Sequence, residues 1–219
     1  MSAHLEVTDD VAVLHLGDDE NRFSPDWLST VNGFLDHIES GEAKALVTTG
    51  SGKFYSNGLD LDWLGAHSDR GDWYIDQVQQ LLARVLVAPV PTVAAINGHA
   101  FGAGSMLAIA HDFRVMRVDR GFYCFPEVDI RIPFSAGMAA LIQAKITPAA
   151  AVEAMTTGRR YGGADAEALG LVSGTAPEGK VTTTAVELAT GLTGKDPGTL
   201  QAIKSTMFAS VTAALRQQA

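Results

Sequence analysis

Two glycine-bearing loops carry the residue types and spacing best suited to chemistry. One is Asn97-Gly98-His99-Ala100-Phe101-Gly102-Ala103-Gly104, which follows the apolar run at 91–96 and leads into the apolar stretch 105–110. This reads as strand, glycine turn, helix. A dinucleotide fingerprint fails because Gly102-Ala103-Gly104 is not completed by a third glycine, Leu107 standing at that place. A phosphate loop fails because no Gly-Lys-Ser/Thr follows Gly98 at the required distance, and Gly52-Lys53 lacks both the upstream glycine and the hydroxyl. A nucleophile elbow fails because Ser105 directly follows Gly104 and precedes Met106 and Leu107, so Ser105 reads as a helix residue. What is left is a helix start whose first N–H groups are unpaired and lie at the positive end of the helix dipole, a place suited to a developing oxyanion. The other loop, at 53–61, contains Ser56-Asn57-Gly58-Leu59-Asp60-Leu61 and could set a second N–H beside the first. Either loop alone reads equally well as a turn that closes a strand-helix unit.

These loops need elements to hold them. Residues 5–7 and 11–16 read as a β-hairpin turned by Asp9-Asp10. Leu28, Val31, Leu35 and Ile38 recur at helical spacing over 25–40, with Ser24 as N-cap and Pro25 at the first position. A buried strand at 45–48, a helix around 78–85, strands at 91–96 and 112–118 and an extended piece at 122–125 follow. Beyond Pro133 the pattern is helical over 135–145, 148–157, 164–169, 180–191 and 198–217. Helices crossing between strands favour parallel pairing with right-handed connections, so the chain reads as α/β with a helical C-terminal part.

The 219 residues are 47% apolar and carry a formal charge of −9, which fits one globular unit and disfavours a nucleic-acid partner. Cys124 is the lone cysteine, and the six histidines show no close His/Cys spacing, so neither a disulfide framework nor a structural zinc pattern is read. No apolar run is long enough to span a bilayer and no basic apolar leader is present, so a cytoplasmic protein is expected. Glycine stands out at 22 of 219, against about 7% on average.

Taken together, residues 44–61, 91–118, 125–133 and 164–172 resemble the crotonase superfamily, the enoyl-CoA hydratase/isomerase group, in order and approximate spacing. The resemblance implies a spiral of ββα units, a core over 1–195 and a C-terminal helix at 196–219 shortened relative to the family. It implies an oxyanion hole from the backbone N–H groups of Leu59 and Ala103, gripping the thioester carbonyl of an acyl-CoA. Asn57, Gly58, Gly102 and Met106 belong to the same substrate-facing motifs, and Arg22 and Lys53 match positions near the nucleotide. Lys204 resembles a family lysine near the phosphates.

The acid/base pattern then selects among members. Hydratases use two glutamates; Met106 stands where the first would be, and Glu127 in Phe125-Pro126-Glu127-Val128 matches the second. A thioether accepts no proton, while one carboxylate suffices to shuttle a proton from C2 to C4. The pattern resembles the Δ3,Δ2-enoyl-CoA isomerases, with Glu127 as base, partly desolvated by Phe125 and Val128. Ser135 replaces the extra acid of dienoyl-CoA isomerases, Asp60 reads as a helix cap, Asp129 as a solvated or capping residue, and Arg131 replaces a usual glycine. The implied activity is an enoyl-CoA isomerase without cofactor, CoA being part of the substrate, assembled as a homotrimer or dimer of trimers. A thioester hydrolase, a hydratase or a non-catalytic acyl-CoA-binding subunit are the alternatives.

Overall fold

Asp9 and Asp10 both adopt positive φ, 48° and 69°, the backbone of a tight two-residue hairpin turn. They join β1 (His4–Thr8) to β2 (Val11–His15), opening a computed structural model that describes residues 2–217. After α1 (Pro25–Glu39), capped by the Ser24 hydroxyl on the Trp27 N–H, the chain repeats one device three times. A strand joins a large sheet, a very short strand joins a small sheet, and a helical segment follows. The first round is β3 (Ala45–Thr49), β4 (Phe54–Ser56), then α2 (Leu61–Ala66) and α3 (Gly71–Leu86). The second is β5 (Thr92–Ile96), β6 (His99–Phe101), then α4 (Ala103–Ala110). The third is β7 (Phe113–Arg117), β8 (Tyr123–Cys124), then the single turn α5 (Glu127–Ile130).

The large sheet has the order β1-β2-β3-β5-β7-β9, where β9 is Gly174–Ala176, and only the β1–β2 pair is antiparallel. The small sheet, β4-β6-β8, is wholly parallel. Parallel strands bring their carboxyl ends to one edge. Leu59, Ala103 and Glu127 follow the last residues of β4, β6 and β8 within two or three positions, so that edge gathers all three. This places the loops differently from the sequence reading, which hung them directly on the large-sheet strands; β4 and β6 were read as loop.

The remaining helices are α6 (Ala136–Lys145), α7 (Pro148–Thr157), α8 (Gly163–Ala168), α9 (Val181–Thr190), α10 (Pro197–Met207) and α11 (Ala209–Arg216). The helix expected over 198–217 is broken at Phe208, whose ring is buried and whose φ and ψ of −110° and 21° end α10. The kink lets α11 turn back onto α6 and α3, which wall the cavity described below.

Lys204 on α10 is not available to a phosphate. Its ammonium is buried, 2.6 Å from Asp112 Oδ2 and 2.9 Å from the Val90 carbonyl, and burial lowers its pKa. Asp112 also accepts from the Thr92 N–H at 2.9 Å, so the pair ties α10 to the start of β5. Removing one partner strands the other charge. Lys204→Met is expected to cost about 3–5 kcal/mol of stability without changing the KM for acyl-CoA; thermal melts and substrate titrations check both halves.

Candidate active site

Where β4 ends, Gly58 turns with φ of 78°, and a Cβ there would lie 2.7 Å from the Phe101 carbonyl and 2.8 Å from the Ala103 nitrogen. Only glycine combines that conformation with that approach. A Cβ on Gly104 would collide with the Ser56 carbonyl, so the first turn of α4 is pressed onto the end of β4. Ser105 is buried with its hydroxyl 2.6 Å from the Ala100 carbonyl and 2.9 Å from that of Cys124, fastening α4 to β6 and β8. It is a structural tie, as its helical position suggested.

The close approach leaves two amides facing one space. In the 57–60 turn the Asn57 N–H donates to the Glu20 carbonyl at 2.8 Å, Gly58 to Ser56 Oγ at 3.0 Å and Asp60 to Tyr74 Oη at 2.8 Å. The Leu59 N–H is the one in that turn with no protein acceptor among the described residues. Ala103 opens α4 behind Gly102, which offers no capping side chain, so its N–H has no intrahelical partner and stands at the positive end of the helix. Both residues line a cavity of about 770 Å³, walled mainly by apolar side chains from α2, α3, α4 and α6.

Glu127 enters the same cavity from the third turn. It is 7% exposed, its Oε1 lies 3.4 Å from where a Gly102 Cβ would be, and its Oε2 has no hydrogen-bond partner among the described residues. Burial pushes its pKa up to about 7, against a weaker opposing pull from its own backbone N–H. Desolvation disfavours the carboxylate, and an acid poised near neutrality can both take and return a proton. The Gly102 turn lies against the carboxylate; Val128, expected to screen it, is 50% exposed, and Phe125 is buried.

No other buried acid lines this wall among the described residues. Met106, 2% exposed, occupies the next turn of α4. Asp60 caps α2 through the Trp63 N–H at 3.1 Å, and Asp129 is exposed with its carboxylate packed against Gly158. Ser135 lines the cavity, but its hydroxyl caps α6 at the Met138 N–H and bonds Gln79 Oε1 at 2.8 Å. Arg131 ends α5 in the left-handed conformation, φ 61°, preserving the backbone shape that a glycine would take there.

The cations divide. Arg22 lines the mouth beside Asn57, held by Glu20 at 2.5 Å and Asp62 at 2.6 Å. Lys53 lies over the Phe54 ring at 5.2 Å and is not part of the cavity wall. Arg160, which sequence reasoning missed, does line it, 5.5 Å over the Phe101 ring and with no carboxylate partner among the described residues. Tyr161 positions it by exchanging two 2.9 Å backbone hydrogen bonds with Tyr123 of β8. The available signal was a basic doublet, Arg159-Arg160, just past the helix-ending Gly158 in an acidic chain.

A ββα spiral with paired main-chain donors at the carboxyl edge of its small sheet is a crotonase-type fold. The sequence profile of the enoyl-CoA hydratase/isomerase family matches residues 6–219, and the chain belongs to that family. It is 39% identical over 180 residues to enoyl-CoA delta isomerase 3 of Arabidopsis thaliana, covering 78% of this chain and 76% of the relative. It is also 39% identical over 183 residues, with the same coverage, to the Arabidopsis protein named enoyl-CoA delta isomerase 2, peroxisomal. The solved apo structure of an enoyl-CoA isomerase from Mycobacterium tuberculosis superposes with a TM-score of 0.91 at 26% identity, covering 98% of this chain and 94% of that one. No helix among the described residues is long and apolar enough to cross a membrane. With a peroxisomal relative at this distance, the cytoplasmic expectation does not assign the chain a compartment.

Proposed function

We propose that this protein is an enoyl-CoA isomerase that moves a double bond from C3 to C2 of an acyl-CoA. One observation carries the reading: a single buried carboxylate, Glu127, shares an apolar cavity with two uncommitted amides, and Met106 stands where a second carboxylate would be needed. The thioester oxygen accepts from the Leu59 and Ala103 N–H groups. As Glu127 removes a proton from C2, the carbonyl becomes a dienolate and both bonds strengthen, which lowers the barrier selectively in the transition state. The protonated Glu127 then delivers that proton to C4. Atoms and charge balance within one substrate, so no cofactor is called for. Hydration would require a second group to activate water; the other carboxylates of the cavity lining, Asp62 and Asp72, are exposed, and Asp62 is paired with Arg22.

The deciding experiment is incubation with 3-hexenoyl-CoA. Growth of the ultraviolet absorbance of the conjugated 2-enoyl thioester supports isomerisation. Release of free CoA thiol points to a hydrolase, loss of absorbance from 2-hexenoyl-CoA to a hydratase, and binding without turnover to an acyl-CoA-binding subunit.

Arg160 is assigned to the anionic part of CoA, since among the described residues it is the cavity-rim cation without a carboxylate partner, while Arg22 is already engaged by carboxylates. Arg160→Ala is expected to raise KM about tenfold, the scale of one exposed charge-assisted hydrogen bond, with kcat nearly unchanged. Steady-state kinetics at low and high salt test this, because the KM difference shrinks as salt screens the pair.

A further inference from the structure

The β1–β2 hairpin carries a side-chain cluster that acyl-CoA chemistry does not use. His4 and His15 are directly opposed in the antiparallel register, and Glu6 lies two residues along β1 on the same face. The two imidazoles stack at 4.4 Å with planes 3° apart. His4 Nε2 is 3.6 Å from one oxygen of Glu6, and His15 Nε2 is 3.8 Å from the other. One donor atom from each residue lies within 4.8 Å of the other two.

We propose that His4, Glu6 and His15 form a binding site for a divalent transition-metal ion, zinc being the probe of choice, on the edge strand of the large sheet. Two imidazole nitrogens and a carboxylate oxygen are the donor set such ions take, and the fourth position is left to water. Tetrahedral bonds of 2.0–2.1 Å set neighbouring donors about 3.4 Å apart. The two histidine–carboxylate separations are near that value, and the whole donor set, within 4.8 Å, closes on an ion when the stacked imidazoles and the Glu6 carboxylate rotate toward one shared vertex. His4 is also oriented for it: its Nδ1 is 3.3 Å from the Ser2 carbonyl, an acceptor that holds the proton on Nδ1 and leaves the Nε2 lone pair free. The donors are reachable, with Glu6 65% and His4 39% exposed in their side chains. The histidines look scattered in the sequence because the ten residues between His4 and His15 fold back only through the Asp9-Asp10 turn. A bound ion would clip the edge strand to its neighbour.

The test is a zinc chloride titration of the full chain, without an affinity tag, followed by calorimetry and by histidine nitrogen resonances in NMR. The expected result is one equivalent bound, with the Nε2 resonances of His4 and His15 moving together and the melting temperature rising. His15→Ala and Glu6→Gln are each expected to weaken binding at least tenfold, while His37→Ala, at a separate His37–Glu42 pair, leaves it unchanged. Equal zinc affinity in His15→Ala and Glu6→Gln, or resonance shifts confined to other histidines, would overturn the site. The NMR observation uses the unaltered chain, so the outcome does not hang on whether a variant folds.

Discussion

Replacing Glu127 with glutamine is expected to lower turnover of a 3-enoyl-CoA by about a thousandfold or more, within the range that positioned proton transfer contributes, and to leave acyl-CoA affinity nearly intact. Glutamine keeps the shape of the side chain but neither accepts the C2 proton nor returns it. The amide donors of Leu59 and Ala103 are untouched, so the thioester still docks. In the parent enzyme the pH profile of kcat/KM is expected to rise through a pKa near 7, because the base works only when ionised. Stability moves the opposite way. The folded-state pKa, about 7, lies above the ordinary value of 4.5, so the protonated form is the one the fold tolerates. That advantage is whole below pH 4.5 and is lost as pH climbs through 7. Glutamine stays neutral throughout. Glu127→Gln is therefore expected to match the parent near pH 4.5 and to exceed it above pH 7 by about 3 kcal/mol, the cost of a shift from 4.5 to about 7. Chemical denaturation at pH 5 and 8.5 reads this directly. A variant that retained turnover, or gained stability only at low pH, would remove Glu127 from its role.

Gly58→Ala is expected to be severely damaging although it adds a single methyl group. Its Cβ would enter within 3 Å of the Phe101 carbonyl and the Ala103 nitrogen, and its φ of 78° is unfavourable for any residue with a Cβ. The turns must separate, carrying the Leu59 and Ala103 donors off their common target. Losing one such donor lowers kcat about 10²- to 10³-fold, and here both move. Leu59→Ala makes the contrast: it trims the cavity wall and keeps the N–H, so kcat is expected to stay within about tenfold of the parent. If the two variants behaved alike, the side chains rather than the main chain would be polarising the substrate.

The legible and illegible parts of this chain divide by length scale. Strands such as 92–96 and helices with clear stops, such as Ser24-Pro25 opening α1 and Thr147-Pro148 opening α7, announce themselves through local pattern. β4, β6 and β8 are three, three and two residues long, too short for any alternation to emerge. They exist because each is laddered to the next across dozens of residues, yet they aim the site. The glycines were visible, but not that Gly58 meets Ala103 or that Gly104 meets Ser56. Lys204 and Arg160 show the same limit in charge. Nothing in the composition of α10 says that its lysine is buried against Asp112, and nothing around Arg160 says that it has no carboxylate partner among the described residues. Glu127 was marked by family resemblance, whereas its raised proton affinity follows from its burial beside the Gly102 turn, a tertiary fact.

The amide pair also bears on how such a protein can change over generations. Every residue except proline carries a backbone N–H, so on the proposed mechanism the side chains at 59 and 103 are free to drift while the electrophile clamp persists. What cannot drift is the emptiness at 58 and 104, where any added atom meets backbone. On the proposed mechanism the clamp is inherited as missing atoms, and the proton chemistry is set separately on the cavity wall, where Met106, Glu127 and Ser135 stand. A lineage, or an engineer, can rewrite those three positions toward a new proton itinerary without rebuilding the means of holding a thioester.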